Sequence, residues 1–215
     1  MTEKSAALLN YLKSSFPSAS CTLSFRNDFE CLVAIMLSAQ TSDSSVNKVT
    51  PSFFAHFPNA QSLSEADIRE IEKDIHRLGM YRLKAKNLLL LSAELMKDYG
   101  GNVPKTKAEL VALPGIGNKT AGVYLLERGH IPFLPVDTHI SRISTRLGYA
   151  SKDENPQHIE AKLEKAFPKN EWIFLHHALI AFGRSVCLAR SPKCERCTLH
   201  KFCSYFKKTA STTGK

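Results

Sequence analysis

Apolar residues recur at helical spacing along nearly the whole chain, and no other feature restricts the possible folds as much. Leu8, Leu9, Leu12 and Phe16 form the first such stripe, the pattern of a helix with one buried face. Asp28 stands as a cap before the mostly apolar Phe29 to Ser38. Val46, Val49, Phe53, Phe54 and Phe57 mark another helix, with Pro51 near a bend or break. Ser64 and Asp67 have capping-box spacing ahead of Ile68, Ile71, Ile75 and Leu78, and Gly79 ends that run. A helix from Lys84 to Tyr99 carries its core face at Leu88 to Leu91 and stops at Gly100-Gly101. Thr106 with Glu109 opens a short helix that closes at Leu113-Pro114. Further helices are predicted from Asn118 to Glu127, Thr138 to Leu147, Asn155-Pro156 to Phe167, and Glu171 to Ser185. Only Ile131 to Val136 resembles a strand, and Pro132 and Pro135 argue against it. The expectation is an all-α protein of about ten short helices, with no internal repeat.

With 43% apolar and 23% charged residues, the chain has globular rather than disordered composition. Its 215 residues allow one large or two small domains. The longest apolar stretches, Cys31 to Leu37 and Asn87 to Leu91, are far shorter than the roughly 18 residues of a membrane helix. Met1 to Lys13 lacks a basic region followed by an apolar one, so export is not expected. A cytoplasmic protein with no membrane partner is predicted, nucleoid-associated if bacterial.

Charge is concentrated at one end. The net charge is +9. From Arg184 onward, Arg184, Arg190, Lys193, Arg196, Lys201, Lys207, Lys208 and Lys215 face Glu195 alone. Such a segment suits a polyanionic partner. It also holds Cys187, Cys194, Cys197 and Cys203, spaced Cys-x6-Cys-x2-Cys-x5-Cys. Without an export signal, disulfides are disfavoured. Zinc usually takes two Cys-x2-Cys pairs, and only Cys194 and Cys197 form one. An iron–sulfur cubane accepts uneven spacing, because its irons lie at separate corners. The spacing favours the cluster, with zinc next and inert thiols last. Cys21 and Cys31 are expected to be buried or half-buried thiols.

Two further motifs carry chemistry. Leu113-Pro114-Gly115-Ile116-Gly117-Asn118-Lys119 joins two helices through a turn with glycines one residue apart. Backbone can approach an anion closely there, with amides of the turn and of the new helix pointing at phosphate. A plain helix cap and interhelical turn would look similar. Lys119 adds to the functional reading. A cation in a first helical turn opposes the macrodipole, so it is either a solvated surface lysine or an amine with a lowered pKa that serves as a nucleophile. Eighteen residues on, Asp137 precedes Thr138-His139 as an N-cap, and a carboxylate held there could also support a cationic sugar or move protons.

Together these residues resemble the endonuclease III family of helix-hairpin-helix DNA glycosylases. The similarity lies in Leu113 to Ala121, Val136 to His139 and the four cysteines. Leu37-Ser38-Ala39-Gln40-Thr41-Ser42-Asp43 and Gly79-Met80-Tyr81 ahead of Lys84-Ala85 also resemble family segments. The resemblance implies two all-α domains flanking a DNA-binding cleft. One is a six-helix domain over 22–133 with the hairpin; the other joins 1–21 to 134–208 and holds a [4Fe-4S] cluster on Cys187, Cys194, Cys197 and Cys203. A flexible tail would follow at 209–215. It further implies a monomer that acts on double-stranded DNA containing damaged bases or abasic sites, with Lys119 as Schiff-base nucleophile and Asp137 as catalytic carboxylate. Leu113, Pro114, Gly115, Ile116, Gly117 and Asn118 would hold phosphate, joined by Arg184, Arg190 and Lys193. Gln40 and Met80 match positions that fill the gap left by a flipped base, although the family more often has leucine at the latter, and the Arg82-Leu83 loop has no assigned role.

The implied activity is bifunctional: excision of damaged bases, oxidised pyrimidines above all, and β-elimination at the abasic site. A monofunctional mismatch glycosylase of the same fold is the nearest rival; such enzymes lack the hairpin lysine. A non-catalytic iron–sulfur DNA-binding or redox-sensing protein is a second rival, and the pair Lys119 and Asp137 argues against it.

Overall fold

Short polar side chains start most of the helices. In the computed structural model, which describes residues 1–128 and 133–212, Thr2 accepts the Ser5 amide and opens α1 (Glu3–Ser15). Every regular element among the described residues is helical. The chain divides into two compact units, Thr22–Ile131 and the combination of Met1–Cys21 with Pro132–Lys215.

The 22–131 unit is built on α2 (Asp28–Leu37), whose residues from Phe29 to Leu37 are all buried. Asn27, not Asp28, is the cap, accepting the Glu30 amide. α3 (Asp43–His56) runs through Pro51 without a break, carried by the buried face of Val46, Val49, Thr50, Phe53 and Phe54. The missing proline amide costs one backbone bond, while each large apolar side chain fully buried contributes about 1.5–3 kcal/mol. α4 (Ala60–Ser64) was not anticipated. Its capping box is Asn59 with Ser62, and Asp67 alone caps α5 (Ile68–Ile75) in place of the expected Ser64/Asp67 box. α6 (Tyr81–Tyr99) begins three residues before Lys84, and Met80 in a left-handed conformation is its N-cap. α7 (Lys107–Ala112) is capped by Thr106 as predicted, and α8 (Asn118–Glu127) has the predicted bounds. Helix α2 packs on α3, α6 and α8; α4 and α5 pack on α6; α7 packs on α8.

In the other unit, α9 (Thr138–Arg146) is central. α10 (Pro156–Ala166), α11 (Trp172–Ser185) and α12 (Ser204–Thr212) all pack against it, and α11 also packs on α1. The buried His176 ring and the Pro135 carbonyl, 3.0 Å apart, join α11 to the segment leading into α9. Helix α12 takes in residues 209–212 of the stretch expected to be a flexible tail, while 213–215 lie outside the described residues. Of the weak strand candidate, 131–132 lie outside the described residues and 133–136 form no strand. No helix among the described residues is long and apolar enough to cross a membrane.

Candidate active site and cysteine pocket

The glycine turn between α7 and α8 presents backbone outward because its two apolar side chains point inward. Leu113 and Ile116 are buried, whereas Gly115, Gly117, Asn118 and Lys119 are exposed. Gly115 has φ +76°, and a β-carbon there would lie 2.6 Å from the Met36 methyl and 2.9 Å from the Asn87 β-carbon. This position therefore excludes a side chain twice, by backbone conformation and by close approach. A β-carbon on Gly117 would meet nothing within 4 Å, and no side chain caps α8. First-turn amides of α8 thus have no side-chain cap, which leaves them available to an anion. Lys119 sits in that same exposed turn.

Asp137 caps α9 as predicted: Oδ1 accepts the Ile140 amide at 2.8 Å. The cap engages one carboxylate oxygen and fixes the group's orientation. Two residues on, burial lowers the His139 pKa against the attraction of Asp137, and Arg142 and Arg184 lower it further. The α-carbon of Gly183 packs against this imidazole, since a β-carbon there would fall 2.8 Å from the His139 β-carbon.

Cys187, Cys194, Cys197 and Cys203 line one pocket of about 390 Å³, mouth included, whose walls include Leu147, Phe182, Val186 and Pro192. None is in a disulfide. Single 3-10 turns at Cys194–Arg196 and His200–Phe202 place two of them, with the Cys197 and Cys203 amides closing onto the Cys194 and His200 carbonyls. Burial pushes the Cys194 and Cys197 thiols up, the latter to about 11, and neighbouring cysteine sulfurs add to both shifts. The Cys194 and Cys197 sulfurs thus resist ionisation until a cationic centre sits beside them, which is the chemistry of a thiolate metal site. Among the described residues no three Cys, His, Asp or Glu side chains gather closely enough to hold a single metal ion. A cubane takes one thiolate per iron at separate corners, so it does not require convergence on one point. Arg184, Arg190, Lys193 and Arg196 are all exposed, and the middle two lie on the loop between Cys187 and Cys194. Cys31 is fully buried in α2 and Cys21 half-buried, as expected.

Gln40 and Met80 are exposed non-glycine residues with φ +54° and +58°. Left-handed backbone at such residues is strained, and it clusters at functional positions.

Three side chains at these sites were not singled out by sequence. Arg142 donates to the Gly183 and Cys187 carbonyls. Arg146, one turn further along α9, donates to the Cys187 sulfur at 3.2 Å and to the Leu188 and Ala189 carbonyls. Their spacing of four after the aspartate motif was the available signal. Lys84 is buried on the apolar face of α6 with Ala85, Leu88 and Leu91, and a lysine in a core register could have drawn attention.

An outward-facing glycine turn between two helices, followed by a capping aspartate, gives this all-α chain a helix-hairpin-helix arrangement. Residues 33–169 match the family model of the HhH-GPD superfamily base excision DNA repair proteins. The endonuclease III of Bacillus subtilis (strain 168) is 41% identical over 195 residues, covering 91% of this chain and 89% of that one. Two solved structures, a non-covalent endonuclease III–DNA complex and a trapped covalent endonuclease III–DNA intermediate with an estranged adenine, each superpose with a TM-score of 0.91 at 40% identity. Each covers 98% of this chain and the whole of the other. The chain belongs to the endonuclease III family of this superfamily.

Proposed function

We propose that this chain excises damaged bases, oxidised pyrimidines foremost, from double-stranded DNA and nicks the resulting abasic site, with Lys119 as the nucleophile and Asp137 as its carboxylate. Base-excision repair by combined DNA glycosylase and AP lyase action is the activity of its family. The observation that carries the residue assignment is the exposed amine of Lys119 in the first turn of α8, directly after a turn whose amides face outward. A trapped covalent DNA intermediate of a relative 40% identical supports an amine that bonds to the sugar.

Chemistry on a base requires its removal from the stack, at a cost of a few kcal/mol that damage reduces. Hairpin amides of Gly115, Gly117 and the first turn of α8 hold a phosphate, and Arg184, Arg190 and Lys193 hold others. Asp137 acts as a proton acceptor in the reaction and stabilises positive charge at C1′. The Lys119 nitrogen bonds to C1′ as the glycosidic bond breaks, the electron pair leaving with the base, which takes up a proton. Ring opening gives an imine. Loss of a C2′ proton then expels the 3′ phosphate, and the strand is cut. Gln40 and Met80 fill the space the base vacates, the thioether acting as an apolar wedge. Such an enzyme acts as a cytoplasmic, DNA-associated monomer.

Cys187, Cys194, Cys197 and Cys203 would hold a [4Fe-4S] cluster, which when bound pins the loops of this region and supplies no step of the excision. The four thiols on one apolar-walled pocket fit it.

Borohydride reduction with abasic duplex should trap a covalent adduct in the native protein and none in Lys119→Ala. An undiminished adduct in the variant removes Lys119 from its role.

A further inference from the structure

Lys84 has no part in the chemistry above, yet its ammonium is among the most buried charges in the molecule, with only 5% of the residue exposed. Its Nζ donates to the Leu37 carbonyl at 2.8 Å, at the end of α2, and to the Thr41 hydroxyl at 2.7 Å. That hydroxyl in turn donates to the Ala39 carbonyl. The ammonium and its relay thus hold the chain on both sides of Gln40, through the Leu37 and Ala39 carbonyls before it and the Thr41 side chain after it. Lys84 itself lies in the first turn of α6, where its amide bonds to the Met80 carbonyl at 3.0 Å. Gly79 passes beside the same loop, since a β-carbon there would sit 3.9 Å from the Gln40 carbonyl oxygen and the Thr41 hydroxyl. Gln40 and Met80, two of the four exposed non-glycine residues with left-handed backbone, beside Asp153 and Ser191, are therefore borne on neighbouring segments tied together by one buried cation.

Burying an ammonium is unfavourable unless its donors are used, and burial lowers the pKa of this one. An apolar side chain would fill the same core register with no such penalty. The cost is offset where a salt-insensitive hydrogen-bonded tie must hold two strained turns in a fixed relation.

We infer that Lys84 is a positioning residue for base extrusion, locking the Gln40 loop to the Met80 turn so that both side chains enter the duplex as one rigid element. The inference rests on the gap-filling reading of Gln40 and Met80. It concerns the step that opens the stack, not the bond-breaking at C1′, so its loss should spare the amine chemistry.

The test compares two substrates for the intact, cluster-loaded protein. Lys84→Met keeps the length and removes the donors. Excision of a damaged base from duplex should fall by about ten- to a hundredfold, while borohydride trapping on a single-stranded abasic oligonucleotide stays within about twofold of the native protein. A fluorescent base analogue beside the lesion should show the defect directly, with a smaller rise on binding. Thr41→Val, which removes one of the two acceptors, should shift the duplex-to-single-strand ratio in the same direction by less, and it carries the test if Lys84→Met does not fold. Duplex excision within about twofold of native in Lys84→Met, a parallel fall on both substrates, or an unchanged ratio in Thr41→Val would each overturn the inference. Persistent trapping in Lys119→Ala would instead overturn the catalytic assignment and leave this one standing.

Discussion

Asp137 caps α9, and the function proposed above gives the same carboxylate a catalytic job; the two can be separated. As a cap it needs only an acceptor oxygen for the Ile140 amide; as a catalytic group it needs a charge and a proton-accepting site. Asp137→Asn keeps the first and removes the second. Unfolding free energy should change by no more than about 0.5 kcal/mol, while turnover on damaged duplex falls by roughly a hundredfold or more. Chemical denaturation and single-turnover kinetics measure the two sides. Turnover close to native would leave the residue with its capping role only. Gly115 belongs at this scale too: its backbone conformation and its contact with Met36 and Asn87 explain why the turn must carry glycine there, whereas Gly117, in extended backbone and open space, is required only if a ligand approaches it.

At the scale of elements, α9 does most to organise its unit. Its N-terminus positions Asp137, and in its C-terminal half Arg142 and Arg146, the last residue, grasp the chain around Cys187. Arg146 also lies over the Tyr205 ring at 4.3 Å, while its carbonyl accepts from the Ser204 hydroxyl, so the start of α12 is fastened to the same residue. Replacing Arg146 with Gln removes the donor to the Cys187 sulfur and most of the loop contacts. The purified variant should hold less iron per chain and show weaker visible absorbance near about 400 nm than the native protein. Iron content equal to native would show that the cysteine loops hold without the guanidinium. The Gln40 and Met80 turns make the same point in the other unit, where a single buried side chain on α6 sets the relation of two surface loops.

At the scale of the whole molecule, charge decides how the protein meets its substrate. The net +9 includes exposed Arg184, Arg190, Lys193 and Arg196 around the cysteine loops. Each phosphate neutralised contributes about −0.9 to the slope of log affinity against log salt. Anisotropy titrations on undamaged duplex should therefore show steep weakening between about 50 and 200 mM salt, and the double variant Arg190→Ala/Lys193→Ala should flatten the slope by up to about two. An unaltered slope would place those side chains away from phosphate.

The helical class, most helix bounds, the hairpin, the Asp137 cap and the four-cysteine array were legible in the sequence. These features are local: periodicity, caps and short spacings act within one or two turns, and the amino acids involved have few alternatives. The cap at Asn27 instead of Asp28, the unbroken run of α3 through Pro51, where a bend or break was expected, and the unforeseen α4 and α12 were not legible, because neighbouring caps compete closely and tertiary burial outweighs one lost backbone bond. Lys84, Arg142 and Arg146 were hidden for a related reason. A lysine or arginine takes its meaning from the carbonyls and sulfur it reaches, and those lie more than 40 residues away along the chain. Sequence by itself determined which groups could do chemistry and on what kind of helix each sits. Only the tertiary structure decided which side chains hold them in place, because a buried cation is tolerated only where the fold brings acceptors from distant segments around it.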